Sequence, residues 1–350
     1  MVTFLFFLPF ILLFVVVGVY AERKVSSFIQ SRYGPMEVGP KGIAQTVADL
    51  LKMLQKEDVR PSSIDKPLFL VAPIVVFVAV FTGFAVVPIT DGIVGAGIYS
   101  GLFFLLAIVS LDVVGILMAG WGSNNKYAYY GAMRAVAQII SYEIPLGLSV
   151  LSVVMVSQSL DLQEIVIQQG VNQPNGAFLG FSWDGVNQVG GFLTWNIFRM
   201  PLLFISFIVF FIAGLAESNR TPFDLPESES EIIGGYHTEY SGFRWGIFML
   251  AEYTMMMLVS ILAAILFFGG WQTPLPNMWS LKLADLTTGT GWGVFWLVSK
   301  AFAFIFVQMW IRWTYPRLRV DQLMNVSWKY LTPVAILILF LVGIWKIIIV

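Results

Sequence analysis

The sequence predicts an all-α integral membrane protein. We read one polytopic domain over residues 1–350, with about eight transmembrane helices, long cytoplasmic loops and one interfacial amphipathic helix. Three observations lead there. Hydrophobic residues make up 58% of the chain and charged residues 12%, about half the charge of an ordinary soluble domain, so lipid must be much of the solvent. Apolar runs recur at the length of about 20 residues needed to cross about 30 Å of hydrocarbon. No segment has the ten-residue alternation of a membrane barrel, and backbone exposed to lipid must otherwise satisfy its own hydrogen bonds as a helix.

The runs fall at 3–21, 67–87, 99–121, 134–157, 194–216, 243–268, 291–313 and 331–350. The first lacks a basic leader and a small-residue cleavage site, so it reads as a span and not a signal peptide. Between spans one and two, the steps Gly34–Pro35 and Gly39–Pro40, followed by Gly42, predict turns. From 45 to 58, Val47, Leu50, Leu51 and Leu54 recur at helical spacing among Asp49, Lys52, Gln55 and Lys56. This segment is too short and polar to span. It should lie flat on the membrane, as a surface anchor or as the roof of an opening for a lipid-soluble substrate. The connections 158–193 and 269–290 read as irregular. Sixteen of the 20 Lys and Arg fall on the side of the 22–66 segment; only Arg199, Lys282 and Lys346 fall opposite, with Lys300 inside a span. By the positive-inside rule both termini face away from the cytoplasm.

Composition excludes several chemistries. With no cysteine there is no disulfide, iron–sulfur cluster or thiolate zinc site, and with one histidine, His237, no multi-histidine metal site. A net charge of −1 lacks the basic stripe that nucleic acid requires. We therefore expect no metal and no redox cofactor on this chain.

The chemistry-bearing residues are acids. Glu217, Asp224, Glu227, Glu229, Glu231, Glu239 and Glu252 are seven of the 21 acids, within 36 residues. A run of charge can simply be a solvated loop. This one is interleaved with Phe223, Leu225, Ile232, Tyr236 and Tyr240, which favours a packed loop whose crowded carboxylates hold and pass protons. Within the spans lie Asp112, Glu143, Glu252 and Lys300. Counted from span ends at 121, 134 and 243, the three acids sit at a common depth of about 13 Å, with Lys300 at about 20 Å. Ion pairing to Lys300 could neutralise only one acid, so a lateral hydrated row of proton sites fits better.

The chain resembles the membrane-arm family of proton-pumping NADH:quinone oxidoreductase, respiratory complex I, whose mitochondrial member is NADH dehydrogenase subunit 1. The resemblance rests on four blocks on the cytoplasmic side, covering nearly the whole length. They are Glu22–Lys24 through Arg32–Pro35 and Gln45–Lys52; Gly120–Tyr127 through Arg134–Gln138 and Ser141–Glu143; Ala216–Glu227 through Glu229–Glu231, Glu239–Tyr240 and Ala251–Tyr253; and Ile311–Arg312 through Tyr315–Arg317, Asp321–Met324 and Trp328–Lys329.

The resemblance implies a non-redox subunit of a proton-translocating enzyme. Without a targeting segment, we expect a bacterial plasma membrane, with both termini periplasmic by the cation asymmetry, ahead of an organellar inner membrane. It implies quinone as substrate, and FMN and iron–sulfur clusters in partner subunits. The implied partners are the peripheral-arm iron–sulfur and quinone-site subunits, small membrane subunits and antiporter-like subunits. By motif match Glu22, Arg23, Asp49, Lys52, Phe223 and Arg312 are tunnel or loop residues. Glu143, Glu217, Glu227, Glu229, Glu231 and Glu252 belong to the proton path, and Arg134 is structural or on that path. Asp224 and Glu239 lie in the same acidic loop. Two positions depart from the family pattern. Met36 stands where a polar residue is usual, and Asp112 where a small residue is, so Asp112 inherits no role. A homologous subunit of a membrane-bound hydrogenase would keep the fold and proton role with another donor; a stand-alone channel or carrier would transport by itself.

Overall fold

The computed structural model describes residues 2–171, 177–179, 181–182, 189–226, 229–277 and 282–349. The chain opens with α1 (Val2–Ile29), and the segment after it turns as expected. Gly42 has φ 77°, and a Cβ there would stand 2.2 Å from the Pro35 carbonyl oxygen, so only glycine closes this turn. Helix α2 (Gln45–Gln55) follows, with Val47, Leu50, Leu51 and Leu54 all exposed. An apolar face that no protein covers suits a helix resting on lipid.

Helix α3 (Lys66–Gly83) leads to a small antiparallel hairpin, β1 (Pro88–Thr90) and β2 (Ile93–Val94). The expected third span is helical in two pieces, α4 (Gly101–Val109) and α5 (Leu111–Gly122). Ser110 interrupts them, its hydroxyl bonded back to the Leu106 carbonyl, a local competition that bends helices. Helix α6 (Lys126–Ser157) is 32 residues long and starts eight residues before the expected 134, because Asn125 caps it by accepting from the Tyr127 amide. Arg134 is thus inside the helix, and its use as a depth marker for Glu143 is corrected.

After the short α7 (Leu162–Ile167), α8 (Pro201–Glu217) starts seven residues later than the expected 194. Pro201 is its first residue, and Met200 is held extended (φ −142°, ψ 125°), as proline imposes on the residue before it. Then come α9 (Gly242–Phe267), α10 (Thr290–Thr314) and α11 (Val320–Asn325). A π-helical turn, Val326–Leu331, joins α11 to α12 (Thr332–Ile349), so helix begins eleven residues before the expected 331.

Six helical stretches among the described residues are long and apolar enough to cross a membrane; α8 is apolar but shorter. Helix α9 is the hub, with 83% of its most apolar 18-residue stretch buried. It packs on α1, α2, α3, α8 and α10, while α6 packs on α5, α8 and α12. Small residues permit the close approach: a Cβ on Gly115 would meet Val76 at 2.5 Å, and one on Gly120 would meet Ala132 at 2.2 Å.

Candidate functional site

The loop leaving α8 turns Arg220 into the bundle, where α1 and α9 meet it. Its Nη1 donates to Glu22 of α1 at 3.1 and 3.3 Å, and its Nε lies 3.2 Å from the Glu252 carboxylate of α9. The guanidinium also stacks 4.2 Å above the Tyr253 ring. Glu22 collects further donors, Arg312 Nη1 at 2.5 Å and the Tyr253 hydroxyl at 2.6 Å. The side chains of Arg220, Glu22 and Glu252 are 3%, 6% and 10% exposed, so water screens little of this network. Burial works against a charged guanidinium, but Glu252 and Glu22 outweigh it and hold the Arg220 pKa well above its usual value. Its Nη2 makes no hydrogen bond among the described residues.

On one side of this network lies a slot of about 350 Å³. Its walls are Val15, Val16 and Val19 of α1, Leu50 and Met53 of α2, and Trp245, Met249 and Leu250 of α9. Its polar lining includes Glu22, Arg23, Asp49, Tyr253 and Arg312. Arg23 donates to Asp49 at 2.6 Å, a pair bridging α1 and α2. Apolar walls with few, localised polar groups are what a small amphiphile needs.

On the other side, Asp112, Glu217 and Glu252 line a second cavity with Asn219 and Tyr236. Its volume of about 20 Å³ has room for about one water. Asp112 is buried in the bundle, and its Oδ1 has no partner among the described residues. Glu217 is within electrostatic range of both Glu143 and Asp112. Glu143 accepts from Ser110, two residues before Asp112. Gln138 fixes the end of α8 through the Ala216 carbonyl, at 2.7 Å, and Asn219.

Other expected residues lie apart. Lys300 meets no carboxylate among the described residues. Its ammonium donates to the Phe268, Gly270 and Gln272 carbonyls at 2.7, 2.9 and 2.7 Å and stacks on Trp195, closing the far end of α9. It was expected about a turn deeper than the acids, on their proton path; three carbonyls after α9 take up all its protons instead. Lys52 is exposed on α2 and is not among the slot residues. Phe223 packs against Tyr142 and lines a separate cavity of about 560 Å³ between α8 and α10. In the acidic loop, Arg134 pairs with Glu231 at 2.5 Å, Asn125 with Glu239 at 2.5 Å, and Arg317 with Asp224 at 2.9 Å. Burial raises the Asp224 pKa although Arg317 opposes it, and burial holds His237 down at about 4. Glu227 lies outside the described residues; Glu229 begins the one-turn helix Glu229–Ile232. Sequence reasoning passed over Arg220, Tyr253 and Ser110. The excess of acids around Arg220 and its place in the Ala216–Glu227 block were the signals for it.

Among known proteins, a family model described as NADH dehydrogenase matches residues 2–343. A protein of Cytophaga hutchinsonii, named as the second H-type subunit of NADH-quinone oxidoreductase, is 54% identical over 97% of both chains. Proteins named as the H-type subunit of NADH-quinone oxidoreductase match from Chlorobium luteolum, 54% identical over 94% of this chain and 84% of that one, and from a Geobacillus species, 47% identical over 94% and 89%.

Proposed function

The chain belongs to the NADH dehydrogenase family, and we propose that it is the membrane subunit of an NADH:quinone oxidoreductase that houses the quinone tunnel and couples it to a path of protonatable acids. The names of its relatives support membership of that complex. We further read α1 and α8 as spans beside the six long apolar stretches, giving eight crossings with both termini on the periplasmic side of a bacterial plasma membrane. The sixteen-to-three division of cations supports that orientation.

One observation carries the coupling. Arg220 is shared between Glu22, which lines the slot, and Glu252, which lines the acid cavity. A quinone passes between α1 and α2 and lies along the apolar walls, its headgroup meeting the Glu22–Arg312–Tyr253 end. Reduction to quinol takes two electrons, from flavin and iron–sulfur centres of partner subunits, and two protons. A proton reaching Glu22 cancels half of the negative charge around Arg220. The guanidinium then leans toward Glu252, its Nη2 able to take up a second contact, and Glu252 becomes a stronger acid toward Asp112, Glu217 and Glu143. Charge change in the slot thus becomes proton release into the row, and linkage requires the reverse as well.

The test is Arg220→Lys, which keeps the charge but cannot reach two carboxylates at once as a planar fork does. In the assembled complex in proteoliposomes, NADH oxidation by a water-soluble acceptor should persist, while quinone reduction and protons moved per electron both fall. Normal stoichiometry at normal rate would remove Arg220 from the coupling.

A further inference from the structure

Most polar groups around the slot are engaged with one another. Glu22, Arg312 and Tyr253 belong to the Arg220 network, Arg23 holds Asp49, and Ser26 donates to the Arg23 carbonyl at 2.9 Å. Arg32 is exposed. Two further donors belong to residues lining the slot, the Thr46 hydroxyl of α2 and the Trp313 indole N–H of α10. Both atoms are enclosed, and neither has a hydrogen-bond partner among the described residues. Both helices pack on α1 and α9, which are described throughout at this level.

Thr46 is the sharper case. It is 4% exposed, and a buried hydroxyl left unpaired is costly. A threonine further along a helix settles this by donating to the carbonyl four residues back, as Thr254 does to Leu250 at 2.6 Å. Thr46 is the second residue of α2, and four residues back from it is Gly42, in the turn before the helix. A helical threonine divides between two χ1 rotamers, so one rotation exchanges methyl for hydroxyl at the slot wall. A quinone ring presents carbonyl oxygens, which accept hydrogen bonds and never donate them. A carboxylate cannot serve such a ring, but a neutral hydroxyl and an N–H among apolar walls can.

We propose, on the reading of the slot as the quinone's way in, that Thr46 is its recognition donor, with Trp313 as the counterpart on α10. Each turns a proton to an oxygen of the quinone ring. Together they distinguish a quinone from a plain hydrocarbon chain, which the apolar walls alone would admit equally.

The experiment uses the assembled complex with a decyl-tailed ubiquinone as substrate. Thr46→Val keeps the volume of the side chain and removes the hydroxyl, while Thr46→Ser keeps the hydroxyl. KM should rise about five-fold in Thr46→Val, the worth of one neutral hydrogen bond, with kcat near parental, and stay parental in Thr46→Ser. Trp313→Phe should raise KM in the same way. The quinone-free Thr46→Val complex should also resist heat slightly better, because an unpaired buried hydroxyl is gone; a hydroxyl that served the fold would give the opposite. Parental KM in Thr46→Val or Trp313→Phe, or a Thr46→Ser no better than Thr46→Val, would overturn the proposal. A photoreactive quinone separates the donors from the slot itself. Label on peptides 45–53 and 245–253 with parental KM in Thr46→Val would defeat the donor assignment alone. Absence of label from both would remove the quinone from the slot, and the proposal with it.

Discussion

Glu22 and Asp49 line the same slot, yet their substitution should have very different consequences. Glu22→Gln keeps volume and one acceptor oxygen but places an amide NH2 against guanidinium groups. It weakens contacts to Arg220 at 3.1 and 3.3 Å, to Arg312 at 2.5 Å and to Tyr253 at 2.6 Å. Removing one member of a buried charge network costs about 3–5 kcal/mol. If about 1.4–2.8 kcal/mol of this is felt at the quinone step, turnover falls about 10- to 100-fold. Asp49→Asn removes only a pair with Arg23 whose side chains are 43% and 22% exposed. Such pairs are worth about 0.2–1 kcal/mol, so the loss should be about five-fold at most. The assay is NADH-driven quinone reduction by the purified complex, beside NADH oxidation by ferricyanide, which bypasses the slot and should not change. Equal losses in the two variants, or parental quinone reduction in Glu22→Gln, would refute the reasoning.

Asp112→Ala should leave assembly intact and slow proton transfer within about five-fold, roughly 1 kcal/mol on the barrier, because Glu217 and Glu252 still line the cavity; proton-to-electron stoichiometry and pumping rate check it. Lys300→Met strands three carbonyls. At about 0.6 kcal/mol per polar contact in a membrane protein, it should cost about 2 kcal/mol and lower the inactivation temperature while sparing ferricyanide reduction. For His237, burial keeps the folded pKa at about 4 against an ordinary 6.5. Unfolded loop therefore binds more protons between these values, and stability is lost as pH falls through that window, by up to about 3 kcal/mol. Limited proteolysis of the 217–241 loop should accelerate from pH 6.5 to pH 4, and His237→Phe should flatten that dependence.

What could be read from the residues depended on whether the cause was local. The Gly34–Gly42 turns and the exposed stripe of α2 follow from neighbours in sequence, and the structure has both. Span ends were harder. Hydropathy cannot see that Asn125 caps α6 eight residues early, or that Pro201 delays α8 by holding Met200 extended. The break at Ser110 depends on a hydroxyl choosing a carbonyl and a glutamate over solvent. Asp112 was legible as an acid at depth and does face the interior. Lys300 was misplaced because depth along one helix says nothing about which neighbour fills the space beside it, and that neighbour is the run of carbonyls just past α9. Arg220 was missed for the same reason: its partners come from α1 and α9, 198 residues upstream in one case.

The three-way network around Arg220 also constrains how such a chain can change. Losing the arginine strands two buried anions, and losing either glutamate leaves the other contact unbalanced, so each single step is worse than its neighbours on either side. Residues 22, 220 and 252 therefore form one epistatic unit, to be replaced together or not at all. A chimera that takes the 217–226 loop from a relative should assemble only if that relative's partners for position 220 come with it. Grafting α1 or α9 alone would carry the same penalty, however similar the rest of the graft.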